Sequence, residues 1–476
     1  MWIAAVQAAA KCSGMPVASV ARPSVPPPSL SLIESHLQSL RPPAAGAASA
    51  RLAEAGQAAL AACEACVAAG GAVDEGLRGQ AQALAELLFE QWHAEALAAL
   101  GRRGWLAGGR DDVAPVVWAL HAADLVQRLA VCRYAGVPAG LWLQVHALFA
   151  QVLARGWQDK RGRADTLTPA LCYARLSLLG LTASGSLEPA KLATLFAWVD
   201  AQASAVALAE EGAAWSGGFA ANLAADAPPR FYEAAEALPA QVVRLELSAV
   251  LAAVCARLNA SGDVLPVAEL QLLLRLRSEW GGLARRRHLR YQRLQRQSLT
   301  VLPGFAAGWH QLGGDELAAG FEPEAAAVPL RWRIVDLSLS GLQLEGGDAG
   351  VEAGSVLLLG KPGGRLRCAL VRRVRRQAGG TVLYGVEYLG KRAAAGLLRV
   401  EHSLGNQEAW QAAITLHGDG WFGGGNMLLA EGRPFQAMRT FSLADGAGRK
   451  TVQATRLRSQ TTRYQLFDYK IVAIEA

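Results

Sequence analysis

Charge is sparse in this chain. Asp, Glu, Lys and Arg make up 18% of its 476 residues, against 52% hydrophobic residues, a balance that excludes a disordered chain and permits large buried cores. Cysteine is scarce and odd in number. The seven (Cys12, Cys63, Cys66, Cys132, Cys172, Cys255, Cys368) do not make a disulfide framework, and their apolar surroundings read as free thiols in a reducing compartment. Cys63 and Cys66 form a CxxC, but no second CxxC or nearby His completes a zinc set, so they read as small core residues. Recognisable targeting is also missing: no basic residue precedes the apolar Trp2–Ala10, and Lys11 stands where a lipoprotein cleavage site needs a small residue. The run Tyr134–Ala154 carries no charge and is long enough to span a bilayer. It contains Pro138, Gln144, His146 and Gln151, and Leu141, Val145, Leu148 and Val152 share one helical face with both glutamines off it. It reads as a buried amphipathic helix, so no membrane span and a cytoplasmic location are expected.

Catalytic signatures are absent as well. The sequence has no phosphate-cradling GxxxxGK[ST] loop, no HExxH and no credible nucleophile–base pair. His93, His121 and His146 stand isolated in apolar helices, and Asp111-Asp112 and Glu210-Glu211 lie at helix ends where solvated or dipole-favoured roles are ordinary. No catalytic residue, metal ligand or cofactor is assigned, and an enzyme is the least expected reading.

What is present falls into four stretches. Residues 1–47 form a proline-punctuated leader, largely unstructured, with one short helix over Ser31–Leu40. Residues 48–283 are Ala- and Leu-rich with helical periodicity, as in Leu84, Leu87, Leu88 and Trp92, and breaks such as Gly70-Gly71 and Ala227-Pro228-Pro229 separate about eight helices of an all-α domain. Pro266 fits the first turn of the last of these. Residues 284–395 change to short β runs: Arg331–Asp336, Ser355–Leu359, Arg365–Val374 and Thr381–Leu389, with Gly-rich turns between them that suggest a small antiparallel barrel. Leu299–Leu302 reads as its first strand, with Gly308–Leu312 as its continuation. Residues 396–476 open on the end of a helix over Arg392–Leu398 and then read as further β runs. A degenerate second barrel and a plain β extension covering a barrel edge both fit. The fold class is thus α+β multidomain.

Basic charge is concentrated late. Residues 1–270 hold 19 Lys+Arg and 23 Asp+Glu; residues 271–476 hold 28 and 17, a net of +11. An anionic partner is therefore expected in the C-terminal part. The run Arg285–Arg296 has six arginines in twelve residues, whose planar donors fork onto phosphate oxygens or the guanine O6/N7 edge. Downstream, Asp336-Leu-Ser338-Leu-Ser-Gly341 sets a carboxylate, a hydroxyl and a turn glycine in order. On a strand, Asp336 and Ser338 share a face, and the carboxylate can accept from guanine N1–H and N2–H2. Gly341 is expected to give backbone freedom where the strand bends.

The ordered set Arg285-Arg286-x-x-x-Arg290, Asp336-x-Ser338-x-x-Gly341 and Tyr384-Gly-Val-Glu-Tyr-Leu389 resembles the PilZ domain family, over Ala284–Ala395. The resemblance implies a six-stranded β-barrel that binds the bacterial second messenger cyclic di-GMP. Carried over position by position, Arg286 and Arg290 hold phosphate and guanine, Asp336, Ser338 and Gly341 line the guanine site, and Arg285 implies two intercalated ligand molecules. RxxxR alone is weak, since Arg372-x-x-x-Arg376 also fits it. The chain departs from the family in its long interval between Arg290 and Asp336, where Gly313–Val328 reads as an insertion.

The leading expectation is a bacterial cyclic di-GMP receptor that relays binding to an unidentified protein partner through its helical domain. Gly281-Gly282 stand ahead of the arginine run and could absorb a dihedral change as it closes on the ligand. The alternative is a ligand-independent PilZ-like interaction adaptor. A nucleic-acid-binding role predicts a broad basic surface with exposed stacking aromatics, whereas these arginines cluster at one linker, so no specific nucleic acid is expected.

Overall fold

A computed structural model describes residues 29–40, 48–69, 73–101, 112–161, 167–209, 215–260, 265–283, 291–292, 297–317, 328–338, 340–361, 364–377, 379–390, 392–401, 409–417, 425–431, 435–461 and 463–474. Most of the leader, including Cys12, lies outside these. The chain divides into two units, Met1–Ser184 with Pro189–Arg285 and Gly185–Glu188 with Arg286–Ala476.

In the first unit α1 (Leu30–Leu40), α2 (Ala48–Ala68), α3 (Glu75–Gly101), α4 (Ala114–Cys132), α5 (Leu141–Ala154), α6 (Pro169–Gly180) and α7 (Pro189–Gln202) come first. Then follow β1 (Ala207–Ala209), β2 (Gly218–Asn222), β3 (Arg230–Tyr232), β4 (Val242–Glu246), α8 (Ser248–Leu258) and α9 (Val267–Trp280). Helix α4 is buried on nearly every side, the pattern of a central helix. Leu84, Leu88 and Trp92 of α3 are buried as their spacing predicts, and Trp92 lies 5.6 Å from Trp118. In α5 the four expected apolar residues are buried and both glutamines exposed. Among the described residues no helix is long and apolar enough to cross a membrane.

The helices of residues 48–283 are α2 to α9, but this stretch is not all-α. Strands β1 to β4 form an antiparallel sheet in the order β1-β4-β2-β3. They are three to five residues long, too short for periodicity to separate from loop. The loop between β2 and β3 clamps α5: Asp226 accepts from the amides of Gly140 (2.6 Å), Trp142 (3.1 Å) and Leu143 (3.3 Å), satisfying donors that a helix start leaves open. One turn on, the fully buried His146 places Nε2 2.9 Å from the Ala227 carbonyl and Nδ1 2.9 Å from the Tyr173 hydroxyl. A carbonyl only accepts, so Nε2 carries the proton and Nδ1 accepts from Tyr173. At the centre of the helices, Arg128 meets Asp124 (2.9 Å) and Asp200 (2.6 Å), which also holds Arg175 (3.2 Å), tying α4, α6 and α7 together. The six described cysteines are free, and burial pushes Cys66 and Cys132 up to about 11, so they behave as core residues.

In the second unit β5 (Tyr291–Gln292) and β6 (Ser298–Pro303) both pair with β7 (Leu330–Leu337), on the edge opposite β8 (Gly341–Gly346). With β9 (Val356–Gly360), β10 (Arg367–Arg376) and β11 (Val382–Tyr388) they close an antiparallel ring of six positions, β6-β7-β8-β11-β10-β9. Two glycines are fixed by close approach. A Cβ on Gly341 would sit 2.0 Å from the Val386 carbonyl oxygen, and one on Gly346 2.3 Å from the Trp332 ring. Trp332 itself stacks flat on Tyr384 at 4.1 Å. Gly341 thus serves contact between strands and not, as expected from sequence, a free bend; its φ is not left-handed.

The expected continuation Gly308–Leu312 is part of a helix, α10 (Phe305–Gln311), followed by the short α11 (Gly314–Leu317). The rest of the proposed insertion, residues 318–327, lies outside the described residues. Residues 392–474 form a second closed barrel, β12 (Arg392–Val400), β13 (Gln411–His417), β14 (Asn426–Glu431), β15 (Thr440–Asp445), β16 (Gly448–Gln460) and β17 (Tyr464–Ile474), in the order β12-β13-β14-β17-β16-β15. The helix expected over Arg392–Leu398 is therefore strand β12. Its Ala and Leu residues favour helix locally, but pairing with both β13 and β15 overrides that preference. The two barrels share an apolar core in which Leu302, Phe305, Trp309 and Leu358 meet Leu397, Ile414 and Leu429, and Trp309 Nε1 donates to Gly396 O at 2.8 Å.

Two tests follow from this packing. Burial holds His146 and His93 below their ordinary value of 6.5. The unfolded chain then takes up protons that the fold resists, so this contribution is present above that value and lost below it. Melting at about pH 5.5 should come lower than at about pH 7.5, and His146→Gln should narrow the gap; an unchanged gap would exclude His146 as its source. In the first barrel, Gly341→Ala should cost about 3 kcal/mol in denaturant unfolding through overpacking. Gly347→Ala, with nothing within 4 Å of its added carbon, should be neutral.

Candidate functional site

Strand β7 does not alternate throughout. Arg333 pairs with Glu345 and Ile334 with Leu344, yet the next pair is Asp336 with Gln343, leaving Val335 as an extra residue. Strict alternation from the buried Trp332 and Ile334 would send Asp336 into the barrel. The bulge re-aims it. Gln343 lies between the buried Leu342 and Leu344, so it and its partner Asp336 face outward. Asp336 is half-buried there.

Ser338 follows the last residue of β7. Its amide and its hydroxyl both donate to the Gly341 carbonyl, at 2.8 and 3.1 Å, closing the turn into β8. The hydroxyl therefore builds the turn as a donor and offers a ligand its acceptor lone pairs. Gly341, at the start of β8, lies opposite Glu387, and Tyr388 N donates to Ser340 O at 3.0 Å, so the Tyr384–Leu389 strand buttresses the turn.

Arg285, Arg286 and Arg290 lie outside the described residues. Their chain neighbours bracket them. On one side, β5 begins at Tyr291, one residue after Arg290, and pairs Tyr291 with Leu337 and Gln292 with Asp336. The described residues inside the arginine run, Tyr291 and Gln292, thus pair with the end of the DxSxxG strand. On the other side, α9 ends in a Schellman cap: Leu283 N donates to Ser278 O (2.9 Å) and Gly282 N to Glu279 O (3.2 Å). Gly282 is left-handed at φ 69°, and a Cβ there would lie 2.6 Å from Phe231. In this structure the two glycines expected to serve as a hinge are occupied in that cap.

The look-alike pair is accounted for by neighbouring strands and turns. Arg372 bonds Glu387, and Arg376 bonds Asp348, so both arginines neutralise carboxylates of their own barrel. Among the described residues no group of three or more His, Cys, Asp or Glu side chains is placed to hold a metal ion. Sequence reasoning missed the β5–β7 pairing, because a two-residue strand has no periodicity, and it missed the bulge, because nothing in Ile334-Val335-Asp336 distinguishes a bulge from a straight strand.

Residues 29–212, which include α1 to β1, match the family described as cyclic-di-GMP receptor FimW, N-terminal domain. The match lies in the helical half, where no ligand motif was read, and does not extend to the barrel bearing the PilZ-like motifs. No curated protein matches the chain. The comparison thus supports a cyclic di-GMP receptor and leaves the first barrel to be judged on its own residues.

Proposed function

We propose that this chain is a non-enzymatic cytoplasmic receptor that binds cyclic di-GMP on the outer face of its first, PilZ-like barrel and passes the signal to a protein partner through its helical half. The observation that carries this is the β5–β7 register, which pairs Tyr291 and Gln292, the residues following Arg290 in sequence, with Leu337 and Asp336. Guanidinium donors for phosphate and the guanine O6/N7 edge then meet a carboxylate for the N1–H and N2–H2 edge. Arg286 and Arg290 hold phosphate and base, Asp336 reads guanine, and Arg285 admits a second, intercalated ligand. The description of the family matched by residues 29–212 supports the same ligand. Its name ties that N-terminal domain to a receptor without placing the nucleotide in it.

Calorimetric titration with cyclic di-GMP, GTP and linear pGpG tests this reading. Each arginine makes charge-assisted bonds worth about 1.5–3 kcal/mol, so Arg286→Ala or Arg290→Ala should weaken cyclic di-GMP binding roughly 10- to 100-fold. Arg285→Leu should lower the ligand count from two toward one. Asp336→Ala should reduce guanine discrimination, while Arg372→Ala should not. Unchanged titration of the Arg286→Ala, Arg290→Ala double variant would remove the site. No heat from wild type with any of the three would favour the ligand-independent adaptor.

A further inference from the structure

The chain passes between its two units three times, at Ser184–Gly185, Glu188–Pro189 and Arg285–Arg286. The first two passages enclose Gly185–Glu188. By chain position these four residues are the turn between α6 and α7, yet they pack with the barrels. A Cβ on Gly185 would lie 2.8 Å from the Val374 carbonyl oxygen of β10. The φ of Gly185 is not left-handed, so close approach to that strand, and not backbone conformation, requires the glycine. Leu187 and Glu188 are buried. Gly354 donates its amide to the Val371 carbonyl of β10 at 2.8 Å, and a Cβ on it would lie 2.9 Å from Glu188 Cγ.

One face of α9 holds the chain on both sides of this turn. Gln271, Arg275 and Glu279 recur every fourth residue and share that face. Ahead of the turn, Ala183 N donates to Glu279 Oε2 (3.1 Å) and Arg275 Nη2 donates to the Ala183 carbonyl (2.6 Å). Trp280 Nε1 donates to the Thr182 hydroxyl oxygen at 3.2 Å. Beyond the turn, the buried Lys191 donates to Gln271 Oε1 at 2.8 Å. The same helix ends at Trp280 and leads into the third passage and the arginine run.

We infer that Gly185–Glu188 is a strap coupling the helical unit to the first barrel, and that α9 is the lever joining the strap to the arginine run. For its ligand, this rests on the cyclic di-GMP reading above. Arginines drawn onto a ligand pull on the end of α9. A helix with that single attachment can pivot alone. Helix α9 is also bonded to Ala183 and Lys191, which flank a turn seated on β10 and Gly354. Its movement must then carry the end of α6 and the start of α7 with it, or break those bonds.

Calorimetric melting without ligand, and hydrogen exchange with and without cyclic di-GMP, test this on the full chain. Wild type should melt in one transition, as coupled units do. Gly185→Val, which cannot approach Val374, and Glu279→Ala, which releases Ala183, should each split it into two. Glu279→Gln keeps an oxygen for Ala183 N and should restore the single transition. In wild type, cyclic di-GMP should slow exchange at the end of α6 and the start of α7 at least about 5-fold, the low end of ordinary coupling. In Gly185→Val the ligand should still bind and that slowing should be lost. Two transitions in wild type, or one transition kept by both Gly185→Val and Glu279→Ala, would overturn the strap. Slowing that persists in Gly185→Val would overturn relay through it. Absence of wild-type binding would remove the cyclic di-GMP reading, and the ligand-free melts would still uphold or overturn the strap.

Discussion

Closure of the first barrel hangs on how near β11 comes to the start of β8. The Val386 carbonyl occupies the space that any side chain at Gly341 would need, so the chain leaving β7 must turn within Ser338–Gly341. Both the amide and the hydroxyl of Ser338 close that turn on one carbonyl. With the end of β7 anchored there and Trp332 anchored against Tyr384 and Gly346, the strand holds one residue more than its partner. Val335 takes up the excess as a bulge, and Asp336 comes to face outward. The glycine is thus needed for packing, and the accessibility of the carboxylate follows from it.

That chain of causes shows why the site was partly legible in sequence. Residue types and order in Asp336–Gly341 are visible directly, as are the strand runs around Arg331, Arg365 and Thr381, because each carries several β-favouring residues between turns. The bulge that determines which face Asp336 occupies depends on register with β8, a non-local property. The same limit hid β5, the short sheet of β1 to β4 and strand β12, whose Arg-Ala-Ala-Ala-Gly-Leu-Leu reads locally as helix. Long helices fared better. The face made by Leu141, Val145, Leu148 and Val152 is buried as its period requires, since a helix writes its environment into its own sequence.

The helical half is held together by groups that its isolated histidines and acids did not suggest. His146 bridges Tyr173 and the Ala227 carbonyl, and Asp226 supports the start of the same helix. These contacts bind the β2–β3 loop to α5 and α6, so the small sheet is an integral part of the helical unit. Asp124, Arg128, Asp200 and Arg175 link three helices by mutual pairing. A buried network of this type loses far more when one partner is removed than the intact set contributes. It constrains how the helices can move in any relay.

Within the second unit, the position of the candidate site also follows from what is already filled. The second barrel packs Phe441, Leu443, Val452 and Phe467 into its centre, and the first packs Trp332 against Tyr384 in its own. Neither interior is left as the place for a dinucleotide. All five residues of β9 are buried. Leu359 of β9 and its β6 partner Val301 line the inside, while Val356 and Leu358 of β9 and Leu302 of β6 join the core shared with α10 and the second barrel. The second barrel therefore covers the β6–β9–β10 side of the first. Arg331 and Arg333 on β7 are exposed and Gln343 on β8 is half-buried, which leaves β7 and β8 on the outward surface. On the proposed reading, the ligand is taken on the wall where the bulge has turned Asp336 outward.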